Sequence, residues 1–239
     1  MLAKKITRLQ HPSVQHWTEL RKNRAHRLAS QTILIAGEHM VRECPLPIQA
    51  LITVAPCNLP AKEKFLVSEE ILKKITGLQH PDGFAAVVPL PEPQDVQNKQ
   101  FVLILDQIQD PGNLGTLFRS ALALGWEGIL LTAGTVDPFN DKALRASQGA
   151  VLQIPYCWQT PPTFAKGTTI WVADPRGAPL AKVAPKPPLA LLLSSEGGGL
   201  LPWSQALDHR ITIPMHSGAE SLNVASAGAI LLYTLRQNV

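Results

Sequence analysis

Phe101-Val102-Leu103-Ile104-Leu105-Asp106-Gln107-Ile108-Gln109-Asp110-Pro111-Gly112-Asn113-Leu114-Gly115-Thr116-Leu117-Phe118-Arg119-Ser120-Ala121 runs from an apolar segment through a turn into a helical pattern. Its first five residues are apolar without alternation, as expected of a parallel strand covered on both faces. Asp110-Pro111-Gly112-Asn113 is a strong turn signal. Leu114, Leu117, Phe118 and Ala121 then recur at helical spacing as far as Leu124, and Gly125 is a natural stop. The stretch is one strand–turn–helix unit.

The same alternation continues downstream. Gly128–Thr132 reads as a strand and Asp141–Gln148 as a helix. Further strands are expected at Thr169–Ala173, Ala190–Ser194 and Ile211–Pro214, with Ser221–Arg236 as a long closing helix. This order argues for an open, largely parallel α/β sheet. Upstream, Pro89-Leu90-Pro91-Glu92-Pro93 can continue neither a helix nor a central strand, so a domain boundary falls there. Before it lie a helix over Ser13–Ala29, strands at Thr32–Ala36, Ala50–Val54 and Gly83–Val88, and a short helix at Glu69–Ile75. The chain therefore divides into a small α/β domain, residues 1–95, and a larger α/β domain, residues 101–239.

Of 239 residues, 45% are hydrophobic and 17% charged, enough apolar material for a substantial core. No run of about 18 apolar residues is present, which argues against a membrane span. The charged N-terminus has no apolar segment behind it, so no secretory signal is expected. Cys44, Cys57 and Cys157 are few and far apart. They suit neither a disulfide framework nor a zinc site, and fit a reducing cytoplasm. Charge is unevenly spread: residues 1–100 carry 13 Lys and Arg against 9 Asp and Glu, whereas residues 101–239 carry 9 of each. Lys4, Lys5, Arg8, Arg21, Lys22, Arg24 and Arg27 face a single acid, Glu19, within the first 27 residues. A polyanion would be drawn to that end; the plainer alternative is a solvated helix face. The five tryptophans, at 17, 126, 158, 171 and 203, read as packing residues.

Three loops follow apolar strands and are rich in small or polar residues: Asp110–Gly115, Ser194–Leu200, and Ile213-Pro214-Met215 through Asn223. Ligands of open α/β sheets bind beyond the C-terminal ends of the strands, where these loops lie. No glycine run is followed by Gly-Lys-Ser/Thr, and Pro202 stands where a dinucleotide fingerprint needs its third glycine. No His, Asp or Glu cluster has metal-ligand spacing, so no metal is expected. Spacing alone leaves an α/β protein with a glycine-lined pocket.

In this order, the three loops resemble the motifs of the SpoU (TrmH-type) branch of the SPOUT RNA methyltransferases. Leu105–Ala121 resembles the first motif, Leu193-Ser194-Ser195-Glu196-Gly197-Gly198-Gly199-Leu200 the second, and Ile213-Pro214-Met215 with Glu220-Ser221-Leu222-Asn223-Val224-Ala225 the third. Arg145-Ala146-Ser147-Gln148-Gly149-Ala150 is similar to a further recurring segment. Ile35-Ala36-Gly37-Glu38-His39 and Pro81–Val87 resemble the family's RNA-binding module, a fold shared with small ribosomal proteins.

The resemblance implies a C-terminal SPOUT domain with a parallel sheet and a deep trefoil knot, an exception to the rule that chains do not thread loops. It implies S-adenosylmethionine bound in a bent shape largely by backbone groups, with contacts falling on Ser194, Ile213 and Leu222 and with Gly199 lining the same turn. Position 194, glycine in the family, is serine here. It implies a homodimer whose active site is completed across the interface, and transfer of a methyl group to a ribose 2′-hydroxyl of RNA. Ribosomal RNA is preferred, because the N-terminal module is similar to that of the family's rRNA-modifying members. Transfer RNA, base methylation and a non-catalytic RNA-binding or assembly factor are the alternatives.

The catalytic residues implied are Asn113, Arg119, Glu196, Ser221 and Asn223. Arg119 would act as base or phosphate anchor. A guanidinium with a pKa above about 12 is poorly suited to the first role and well suited to bidentate grip of a phosphate. Asn113 would fix Arg119 or the ribose, Glu196 would order its loop or pair with a basic group, and Ser221 and Asn223 would orient the nucleotide. Asp110 and Asn113 are also ordinary turn and cap residues, Glu196 an ordinary loop charge, and Ser221 an ordinary N-cap.

Overall fold

A computed structural model describes residues 3–195, 202–216 and 221–237. The chain forms two compact units, one comprising the residues up to Glu92 together with Phe139–Leu152, the other Pro93–Pro138 together with the residues from Gln153 onward.

The first unit contains β1 (Lys4–Ile6), α1 (Pro12–Lys22), α2 (Arg24–Ser30), β2 (Thr32–Ala36), α3 (Glu38–Arg42), β3 (Ala50–Thr53), β4 (Glu63–Val67), α4 (Glu69–Thr76) and β5 (Phe84–Pro89). Its five strands lie in the order β1-β4-β3-β5-β2. The β1–β4 and β4–β3 pairs are parallel, and the β3–β5 and β5–β2 pairs antiparallel. Val14, Trp17 and Leu20 of α1 are buried against Phe65 and Ile71, with the Trp17 and Phe65 rings edge to face at 5.1 Å. The single helix expected over 13–29 is broken at Asn23. The Asn23 side chain accepts from the backbone N–H groups of Ala25 (2.9 Å) and His26 (3.3 Å), starting a second helix there. The helix expected near 141–148, α6 (Asp141–Ser147), belongs to this unit and packs on β2.

The second unit holds β6 (Phe101–Asp106), α5 (Pro111–Ala123), β7 (Gly128–Leu131), β8 (Tyr156–Trp158), β9 (Thr169–Pro179), β10 (Leu189–Ser194), α7 (Pro202–Gln205), β11 (Arg210–Thr212) and α8 (Val224–Gln237). The strand order is β11-β9-β10-β6-β7-β8, and every pairing is parallel. Val102 to Leu105 and Leu189 to Leu192 are shut off from solvent, which explains the unbroken apolar runs. No helix among the described residues is long and apolar enough to cross a membrane.

α5 starts where the turn signal places it. The Asp110 carboxylate accepts from the Asn113 backbone N–H at 2.7 Å, Pro111 opens the first turn, and Gly125 follows the end at φ +73°. α8 packs against α5 and β10, and the Trp126 indole donates to the Leu232 carbonyl at 3.1 Å. The close approach depends on Gly228, where a Cβ would sit 2.3 Å from Leu117 Cδ2 and 2.9 Å from Leu193 Cδ1. Gly228→Val is expected to destabilise the protein by about 1–3 kcal/mol through overpacking, measurable as a lower urea midpoint.

Candidate active site

Chain order in the second sheet runs one way from β6 to β7 and β8, and the other way through β10, β9 and β11. The reversal lies between β6 and β10, where open α/β sheets leave a crevice beyond their strand ends. The two strands end side by side, with Ser194 opposite Asp106 and the Ser195 N–H donating to the Asp106 carbonyl at 3.2 Å. A cavity of about 900 Å³ opens beyond the C-terminal ends of β10 and β11, against the middle of β9 and beside the start of α8. Ser194, Ile213, Leu222 and Ser221 line it, so three of the four expected cofactor residues and one expected catalytic residue converge. The fourth cofactor residue, Gly199, and the expected catalytic Glu196 lie outside the described residues.

The first and third motifs meet through an amide pair. α8 begins at Val224, three residues later than expected, because Asn223 is its cap. The Asn223 Oδ1 accepts from the backbone N–H groups of Ala225 (2.9 Å) and Ser226 (3.4 Å). With its oxygen held there, Nδ2 must face the other way, and it donates to Asn113 Oδ1 at 3.0 Å. Asn113 therefore grips Asn223 and not Arg119, which lies six residues further along α5, roughly 9 Å of helix rise. Arg119 is exposed, its side chain makes no hydrogen bond or ion pair with another described residue, and it is absent from the cavity wall.

At the end of β6, Asp106 is fully buried. Burial pushes its carboxyl pKa up, opposed by the hydrogen bond from the Thr132 hydroxyl (2.6 Å). Thr132 Oγ1 accepts in turn from the Gln107 backbone N–H at 3.2 Å, and Gln107 adopts φ +54° at this corner.

A charged cluster in the cavity wall was not anticipated. Asp174, 6% exposed, accepts from Arg176 through the backbone N–H at 2.9 Å, Nε at 3.2 Å and Nη2 at 3.2 Å, and from Arg210 Nη1. Burial alone would raise the Asp174 pKa; the hydrogen bonds and charge of Arg176, with the Arg210 bond, overcome it and hold the group at about 2. Gly177 makes the arrangement possible, since a Cβ there would lie 2.5 Å from the Ile211 backbone nitrogen. The β9–β11 register shifts between Arg210 and Ile211 at this contact. The available signal was an acidic residue just beyond an apolar run, in Val172-Ala173-Asp174-Pro175-Arg176-Gly177.

Comparison with known proteins places this fold within a family. The SpoU rRNA Methylase family profile matches residues 100–233, more than half of the chain. The chain belongs to the SpoU rRNA methylase family. The 23S rRNA (guanosine(2553)-2′-O)-methyltransferase of Bacillus subtilis is 33% identical to this SpoU-family chain over 98% of its length and 99% of the relative's. The 23S rRNA (uridine(2479)-2′-O)-methyltransferase of Streptomyces viridochromogenes is 25% identical over 94% and 90%. The crystal structure of an AdoMet-bound rRNA methyltransferase from Sinorhizobium meliloti superposes with a TM-score of 0.85 at 25% identity, covering 99% of this chain and 98% of that one.

The seven basic residues near the N-terminus of the SpoU-family chain occupy four environments. Lys5, Arg8, Lys22 and Arg24 are exposed. Lys4 is exposed but paired with Glu63 at 2.8 Å and placed over the Phe65 ring. Arg21 is half-buried, its guanidinium against Gly77 at the end of α4. Arg27 corrects the expectation of an RNA contact. It is 3% exposed, and its Nη1 donates to the carbonyls of Leu20 (2.8 Å) and Arg21 (3.3 Å), tying α2 back onto α1.

Asp174→Asn is expected to lower stability at pH 7 by about 1–2 kcal/mol. A carboxylate whose folded pKa is depressed contributes fully above its unfolded value near 3.9, and the contribution fades as pH falls through the folded value of about 2. Urea midpoints of parent and variant should therefore converge between pH 4 and pH 2; a constant gap would assign the loss to packing.

Proposed function

We propose that the protein transfers a methyl group from S-adenosylmethionine to a ribose 2′-hydroxyl of ribosomal RNA. The observation that carries this reading is the convergence of residues 194, 213, 221 and 222 on one cavity, with Asn223 between two wall residues and bonded to Asn113. The cavity volume lies inside the range of about 300–1,000 Å³ usual for small-molecule sites. Its wall combines apolar groups such as Leu193, Ile211 and Leu231 with a few fixed polar ones, which suits a ligand with an adenine ring and a charged amino-acid end. Ser194 keeps its backbone at the end of β10, so serine in place of the family glycine leaves a backbone contact available.

When bound, S-adenosylmethionine supplies an electrophilic methyl group on a sulfonium. The chain must hold the 2′-oxygen in line with that methyl and keep the nucleotide from turning. Ser221, exposed at the cavity, and the Asn113–Asn223 pair orient the nucleotide. Arg119 anchors the adjacent phosphate with its unengaged donors. Its position away from its own chain's cavity fits a site completed by a second copy, and Ile230 and Tyr233 give α8 an exposed apolar face for that copy. On the same reading the second unit carries the family's trefoil knot. The first unit is an RNA-binding module of ribosomal-protein type, presenting Lys5, Arg8, Lys22 and Arg24, and the enzyme works in the cytoplasm on 23S-type ribosomal RNA. The near full-length similarity to a 23S rRNA methyltransferase supports that substrate over transfer RNA.

The product is tested by alkaline cleavage of ribosomal RNA from cells with and without the gene. Methylation of the 2′-hydroxyl protects the adjacent phosphodiester, so one protected position should vanish with the gene. Arg119→Ala should abolish transfer while leaving cofactor affinity within about twofold, because the lost contact is to RNA; equal loss of both would make Arg119 structural. Charge reversal at Lys5, Arg8, Lys22 and Arg24 should weaken RNA binding and flatten its salt dependence.

A further inference from the structure

The cavity's described wall contains three charged residues, Asp174, Arg176 and Arg210. Asp174 is saturated, because its two oxygens accept four hydrogen bonds, about the capacity of a carboxylate. It can take no proton and no ligand without surrendering one of them. Arg210 is also committed, with Nη1 on Asp174 and Nη2 on the Gln205 carbonyl at 2.8 Å. Arg176 differs. Nε and Nη2 hold it to Asp174, while Nη1 has no partner among the described residues and the side chain remains 83% exposed. A long cationic side chain is thus fixed in direction, with an unused donor edge, in a wall whose three charges leave a net charge of +1.

We propose that Arg176, held in place by Asp174, binds the carboxylate at the amino-acid end of S-adenosylmethionine. This rests on the cofactor reading above. The ligand's own charges select the group: its sulfonium and ammonium are repelled by an excess positive charge, and its carboxylate is the single anionic group. A guanidinium edge matches a carboxylate in both charge and planar geometry. Fixing that end also limits rotation about the sulfonium, which helps aim the methyl group. Arg176 is then the contact residue and Asp174 a positioning residue that acts through it.

The test is calorimetry on the full chain with two thioethers, S-adenosylhomocysteine and 5′-methylthioadenosine, which differ by the amino-acid end. The parent protein should prefer the first. Arg176→Ala should weaken S-adenosylhomocysteine by about 10- to 100-fold, the range for hydrogen bonds to charged groups, and change 5′-methylthioadenosine by less than about twofold. Arg176→Lys should restore part of the preference. Asp174→Asn should reduce it less than Arg176→Ala, because the guanidinium remains but is no longer aimed. Equal weakening of both ligands would overturn the proposal in favour of a structural role. Unchanged cofactor affinity with weaker, less salt-sensitive RNA binding would overturn it in favour of a phosphate contact. Failure of the parent protein to bind either thioether would overturn the cofactor reading itself, an outcome distinct from failure of the variants alone.

Discussion

The in-register parallel pairing of Phe101–Asp106 with Leu189–Ser194 is the interaction on which the second unit depends. Each strand leads away from the other in the sheet, so the loops that follow them diverge and leave a crevice. The pairing is secured by burial: Val102, Leu103, Ile104, Leu105, Leu189, Leu191 and Leu192 are each shut off from water. Burial contributes roughly 1.5–3 kcal/mol for each large apolar side chain, and the register sets Ser194 beside Asp106 at the strand ends.

Around that crevice, polar groups divide into those whose hydrogen-bonding capacity is used and those with capacity to spare. Asp174 and Arg210 belong to the first kind and fix the wall; Arg176 belongs to the second. Asn223 belongs to both. Its oxygen starts α8, and its nitrogen reaches Asn113, so the same side chain that begins the last helix joins two motifs far apart in sequence. A structural cap and a site residue need not be competing descriptions of one amide.

Several features were legible because they are local. The apolar run at 101–105, the Asp-Pro-Gly-Asn turn and the helix after it correspond to β6, the Asp110 cap and α5. The cavity positions 194, 213 and 222 were reached through motif resemblance, since their spacing alone left only a glycine-lined pocket. Other features escaped for identifiable reasons. β1 and β4 are three and five residues long, carry charges, and acquire strand character through parallel pairing with each other and β3. The break at Asn23 depends on a side-chain cap in a sequence whose helical periodicity continues through it.

The alternation of strands and helices, the buried character of the central strands and the three motif loops are encoded locally, because periodicity, turn chemistry and apolar runs act over a few residues. Which polar side chains are spent, and which have capacity to spare among the described residues, follows from tertiary packing. Arg27 is one of seven basic residues near the N-terminus, yet it turns inward because the carbonyls ending α1 need donors. Arg176 looks like any loop arginine until β9 and β11 approach at Gly177 and bring Arg210 to the same carboxylate. Hydrogen-bond saturation depends on neighbours in space, and those neighbours come from distant parts of the chain.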